Sequence, residues 1–103
     1  MITEIRLVSN NGQTTASFWA AVLNVPAENL GSGRWRISPE AGPAVRVATT
    51  PVWQAITRVD ITVQCDAGAA DRLRELGFEV AHDGRQAVDV NGTDATVHLV
   101  VAP

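Results

Sequence analysis

The strongest constraint on this chain is that it opens twice in the same way. Residues 56–77, ITRVDITVQCDAGAADRLRELG, alternate Val59, Ile61 and Val63 with Arg58, Asp60, Thr62 and Gln64. That period of two gives a strand one apolar and one polar face. A helix follows directly. Asp66 is placed to cap it, because a carboxylate there accepts amide protons of the first turn. Ala69, Leu73 and Leu76 fall on one helix face, and Gly77 supplies the stop. Residues 1–24, MITEIRLVSNNGQTTASFWAAVLN, repeat the plan. Over the strand Ile2 to Val8, Ile5 and Leu7 alternate with Glu4, Arg6 and Val8. Asn10-Asn11-Gly12 turns the chain, one of the asparagines capping a helix from about Gln13 to Leu23. This helix directs Thr15, Phe18, Trp19 and Val22 inward, and Asn24 and Pro26 end it.

After the first helix, Ala27 to Gly33 is poor strand material and reads as an irregular loop. Arg34 to Ser38 is a short strand with Trp35 and Ile37 on one face, Pro39 to Pro43 a turn, and Ala44 to Ala48 a returning strand. Residues 49–54 connect the halves and leave Trp53 in need of cover. After the second helix come Phe78 to Ala81, Ala87 to Val90 and Ala95 to Val101. They are joined by His82-Asp83-Gly84-Arg85 and Asn91-Gly92, whose Asp-Gly and Asn-Gly pairs suit tight hairpins that need positive φ. The expectation is one α+β domain over residues 1–103. Unit one covers about 1–50 and unit two about 55–103, each a β-α-β-β(-β) unit with its helix outside a curled sheet.

Composition narrows the function classes. A chain of 103 residues has room for one core. Its net charge of −3 speaks against nucleic acid as a partner, and Arg6, Arg34, Arg36, Arg46 and Arg58 read as scattered singly. No apolar run is long enough for a bilayer, and the N-terminus lacks a leader's layout. The single cysteine, Cys65, cannot form an internal disulfide and is expected to pack as a small apolar residue. A cytoplasmic location is the resulting expectation. Nucleophile elbows, P-loops, dinucleotide fingerprints and zinc spacings do not occur.

Several stretches resemble the vicinal oxygen chelate superfamily, nearest to its glyoxalase-like and bleomycin-resistance-like branch. They are ITEI at the start, SFWAAVLNVP, ITRVDITV, RLRELGFEV and the closing VHLV. The resemblance spans Met1 to Val101 and implies two β-α-β-β-β units whose sheets curl around a cup. In metal-dependent members, ligands sit on the first and last strands of each unit. By position this implies Glu4, Arg46 and His98, with either Asp60 or Arg58 at the remaining place. Both of those share a parity facing the cup.

Glu4, Asp60 and His98 are therefore the candidate catalytic residues, and Arg6, Trp35, Arg46 and Arg58 the candidate ligand-binding ones. A divalent metal is conceivable from the carboxylates and imidazole, but a guanidinium at position 46 stays charged and opposes it. The expected cofactor is none. Trp19 is expected to anchor its helix, with Trp35 and Trp53 lining a pocket or a dimer contact. His82 is expected to face solvent. The resemblance implies a small-molecule binding protein; the alternative is an enzyme of lyase, isomerase or dioxygenase type. A homodimer is expected, meeting along Ile2–Val8 and Ile56–Gln64, because exposed sheet edges invite pairing.

Overall fold

The structure, a computed structural model, describes residues 3–50, 60–89 and 96–101. Ile2, Trp53, Arg58, Val59 and the Asn91-Gly92 turn lie outside the described residues. In unit one, β1 (Glu4–Ser9) leads into α1 (Gly12–Leu23), then β2 (Glu28–Gly31), β3 (Arg34–Ile37) and β4 (Ala44–Thr49). In unit two, β5 (Asp60–Cys65) leads into α2 (Ala69–Glu75), then β6 (Glu79–Val80), β7 (Gln86–Val88) and β8 (Thr96–Val101). The sheets have matching orders, β1-β4-β3-β2 and β5-β8-β7-β6. In each, the first and last strands of the unit run parallel and the other pairs antiparallel. The fold is α+β: the described residues form two helices and two four-stranded mixed sheets, neither closed into a barrel.

Three local expectations need correction. Ala27 to Gly33 is not a loop, because β2 forms there as an edge strand against β3. Turn chemistry outweighs weak strand propensity: Gly31, Ser32 and Gly33 all take positive φ, and the Asn29 side chain accepts the Gly31 amide at 2.8 Å. Neither helix is capped as expected. Asn11 makes no side-chain cap to α1; its amide instead donates to Ser9 Oγ at 3.0 Å. In α2 the N-cap is Gly68, and Asp66 lies two residues upstream, accepting the Gly68 amide at 3.2 Å. Finally, α2 ends at Glu75, so Leu76 falls beyond it and is 57% exposed. Gly77 does stop the helix, at φ 86°, and Gly84 turns the 82–85 hairpin at φ 73°.

Alternation places the apolar strand residues as their parity requires. Leu7, Ile61 and Val63 pack against the core formed by Ile37, Val45, Val47, Val97, Leu99 and the helices. The helix α1 lies against β3 and β4 and also meets α2. Thr15, Ala16, Phe18, Trp19, Ala21 and Val22 are all buried, the signature of a helix enclosed on most sides. Phe18 sets its ring edge-on to Trp19 at 5.8 Å and to Phe78 of unit two at 5.0 Å.

Two polar ties cross the same seam. Arg72 Nε donates to the Ala21 carbonyl of α1 at 2.8 Å. That carbonyl belongs to the last turn, where the helix has no partners of its own and the dipole favours a cation. The rest of the guanidinium clasps both oxygens of Asp66. At the other end of α1, Thr15 Oγ1 donates to the buried Asp89 of unit two at 2.6 Å and lies 2.8 Å from Ser9 Oγ.

Replacing Arg72 with Met is expected to destabilise the protein by about 1–3 kcal/mol, the range for a charge-assisted bond, measured by urea unfolding. The hydrogen bond from Arg72 also holds the Asp66 carboxyl down to about 2. The folded value lies below the ordinary one of about 3.9. The contribution of Asp66 is therefore complete above about pH 4 and fades as pH falls through about 2. Melting temperatures followed over that window should decline less steeply in Asp66→Asn than in the wild type.

Candidate functional site

The faces turned away from the helices carry the charged residues. In sheet one, register aligns Arg6 with Arg46, Arg46 with Arg36, and Arg36 with Glu28. Residues directly opposite share a face, so one row crosses β1, β4, β3 and β2. Arg34 stands on the same face, opposite Ala48. Arginines that read as scattered singly in sequence are neighbours here. Arg36 was not a candidate, because it lies on neither the first nor the last strand of its unit.

Glu4 holds the row at one end. Its Oε2 accepts from Arg6 Nε at 2.7 Å, and its Oε1 lies 3.6 Å from Arg46 Nη1. At the other end Glu28 is 3.7 Å from Arg36. The hydrogen bond from Arg6, helped by the charges of Arg6, Arg46 and Arg36, lowers the Glu4 carboxyl below its ordinary range. Glu4 is thus an anion at any neutral pH, and it feels all three guanidiniums.

Sheet two places the matching residues in the same pattern with different chemistry. Thr62 pairs His98, and His98 pairs Gln86. By strand position these correspond to Arg6, Arg46 and Arg36, and Asp60 corresponds to Glu4. Asp60 Oδ1 lies 3.3 Å from His98 Nε2, and Gln86 Nε2 lies 3.5 Å from His98 Nδ1. The described strands of this sheet include no arginine or lysine.

The structure therefore joins the candidates in two pairs, Glu4 with Arg46 and Asp60 with His98, one on each sheet. Both faces are open: the Arg46 side chain is 26% exposed, His98 37% and Asp60 46%. Trp35 stands apart from this set. It shares the helix-facing side with Ile37 and packs under the N-terminus of α1, where a Cβ on Gly12 would lie 2.9 Å from its ring. His82 sits by the 82–85 turn and is exposed, as expected, with its carbonyl near Arg74. Cys65 is buried, and burial pushes its thiol up, so it is a neutral packing residue.

A cavity of about 280 Å³ opens at the seam between units, lined by Ile5, Trp19, Pro43, Val45, Ile61 and Val63. Another runs from Val22 and Leu23 past Pro39 to Cys65 and Asp66. Among the described residues, none of the candidates lines either.

The charged faces do not suit a dication. Both Glu4 oxygens face guanidiniums, and Arg46 would bring a fixed positive charge to contact distance. Among the described residues no group of three His, Cys, Asp or Glu is placed to hold a metal ion. No helix among them is long and apolar enough to cross a membrane.

Paired β-α-β-β-β units of this order define the glyoxalase and bleomycin-resistance fold, and the described residues have it. An oxidase, ChaP-H2, aligns over 100% of this chain and 94% of its own, with TM-score 0.69 and 14% identity. A glyoxalase/bleomycin resistance protein from Catenulispora acidiphila aligns over 100% of both chains, with TM-score 0.64 and 10% identity. A bleomycin-binding protein complexed with bleomycin covers 100% of this chain and 98% of its own, with TM-score 0.61 and 14% identity. The resemblance carried by the sequence motifs is thus borne out in the fold. No protein-family model matches the sequence, and neither does any curated protein.

The packing at Gly12 generates a prediction. A Cβ there would also meet Thr49 Oγ1, which is held by its bond to the Gly33 carbonyl. Gly12→Ala is expected to cost about 1–3 kcal/mol, as overpacking does. It should also shift tryptophan emission as Trp35 is displaced, whereas an unchanged spectrum and stability would contradict this packing.

Proposed function

We propose that this protein binds a small molecule on the polar faces of its sheets, without a metal, and does so as a homodimer. The observation that carries the reading is Arg46. It sits in the middle of the polar face of sheet one, at the place matching His98 in sheet two, with Glu4 already turned toward it. A site with a resident guanidinium can fix an anionic or hydrogen-bonding ligand directly. The fold is shared with a protein complexed with bleomycin, which supports ligand binding as the use of these faces. The fold alone does not select the ligand.

The openness of both faces supports the homodimer reading. β1 and β5 are edge strands of their sheets, and a second copy meeting them would cover polar surface that a single chain leaves exposed. The free thiol of Cys65 agrees with a reducing, cytoplasmic setting.

A second reading, catalysis, is favoured by one arrangement. His98 Nε2 lies 3.3 Å from the Asp60 carboxylate, a pairing that orients an imidazole, and its Nδ1 could act as a general base once a substrate displaces the Gln86 amide, 3.5 Å away. Product formation from a bound compound, abolished in His98→Gln with binding retained, would establish that reading. Recovery of the compound unchanged would support binding alone.

Thermal-shift screening against metabolites and antibiotics tests the main proposal. A ligand at about 100 times its Kd should add about 2.7 kcal/mol of stability and raise Tm. Stoichiometric metal in protein purified without chelator, with Tm falling when it is stripped, would overturn the metal-free reading. Sedimentation equilibrium at micromolar concentration is expected to give twice the chain mass of 10.9 kDa; a value near the single-chain mass would refute the dimer.

A further inference from the structure

We infer that the polar face of sheet one selects ligands carrying a phosphate or carboxylate group, which seats on the row Arg6, Arg46 and Arg36. This rests on the reading of the sheet faces as the ligand site and names the chemistry of that ligand. The first support is the repeat itself. Unit two builds the same sheet, in the same order and register, with Thr62, His98 and Gln86 in the corresponding row. The architecture therefore does not require arginine at any of the three places.

The second support is electrostatic. Arg6 stands directly opposite Arg46, and Arg46 directly opposite Arg36. Like charges so placed, with Cβ atoms about 4.5–5.5 Å apart, weaken a sheet. Glu4 and Glu28 offset part of this, yet among the described residues three guanidiniums share two carboxylates, and Arg34 adds a fourth cation to the face. Arg46, at the centre, has the looser share: Glu4 holds Arg6 at 2.7 Å but Arg46 at 3.6 Å.

An added anion would relieve this imbalance. The guanidinium is planar and offers paired N–H donors that match the oxygens of carboxylate or phosphate. Strands lie about 4.8 Å apart, so flanking arginines can reach a group centred on Arg46. Glu4 competes for the same donors. Binding at this face should therefore tighten when the Glu4 carboxylate is removed, the opposite of what loss of an ordinary contact residue does.

The test uses the full chain, with inorganic phosphate and malonate as separate probes of the two anion types. Arginine Nε–Hε resonances are followed by NMR, and Arg85, in the 82–85 turn, serves as the control. The resonances of Arg46 and Arg36 are expected to shift saturably with one or both probes, and the tighter probe identifies the preferred group. Arg46→Gln and Arg36→Gln should each weaken the response about tenfold, the equivalent of one charge-assisted bond. Glu4→Gln should strengthen it several-fold, and Arg85→Gln should change nothing.

Melting curves identify any variant that fails to fold, and having both Arg46→Gln and Arg36→Gln keeps the test available. Equal binding by wild type, Glu4→Gln and Arg46→Gln would overturn the inference. So would an Arg46→Gln variant that alters only the monomer–dimer balance, since the row would then be a subunit contact. If screening finds a neutral or cationic ligand indifferent to Arg46→Gln, the anion assignment fails while small-molecule binding stands. If neither the probes nor any library compound binds, both fail.

Discussion

The enclosure of α1 is the constraint on which the rest of the structure depends. The helix belongs to unit one by sequence and to both units by packing. Phe18 meets Phe78, Thr15 donates to Asp89, and the Ala21 carbonyl takes Arg72. Burial on most sides of one helix joins two sheets that share no hydrogen-bonded strand pair among the described residues. It also decides where polar chemistry can go. With the apolar faces committed to the helices, every charged strand residue must stand on the opposite faces, because a buried unpaired charge is too costly.

Much of this was legible. Alternation alone put Ile5, Leu7, Ile61 and Val63 on the helix side and Glu4, Arg6 and Asp60 on the other. The Asp-Gly turn at 83–84 and the stop at Gly77 followed from backbone freedom at glycine. What escaped reading depended on partners distant in sequence. The strand at Glu28–Gly31 exists because of its pairing and a three-residue turn with positive φ, not because of its own propensity. The arginine row appears only when β1, β4 and β3 are set in register. Asp89 gave no local hint of burial; its environment comes from Ser9 and Thr15, on the other unit. The Glu4–Arg46 and Asp60–His98 pairs were both identified as candidates, but as one cluster; the structure assigns one pair to each sheet. Trp35 shares parity with Ile37, and that parity already pointed it away from the arginines.

The two units illustrate how one scaffold supports two surface chemistries. Their cores are interchangeable in kind, Val45 and Val47 in one matching Val97 and Leu99 in the other. Their polar faces are not. Sheet one presents fixed cations that no pH in the neutral range alters, while sheet two presents hydrogen-bonding groups around an imidazole. A ligand spanning both would meet a wall of guanidiniums on one side and Asp60, His98 and Gln86 on the other. That difference lies in side chains on the faces turned away from the helices, which is why it is compatible with one fold.

The parallel pairing of β1 with β4 has a kinetic consequence. Arg6 and Arg46 are forty positions apart (46 − 6), with α1, β2 and β3 between them in the chain. Closing so long a segment is entropically slow. Arg36 and Arg46 need only the local β3–β4 pairing to meet, whereas Arg6 joins them through a long-range parallel pairing. The row is thus completed by the slower kind of contact.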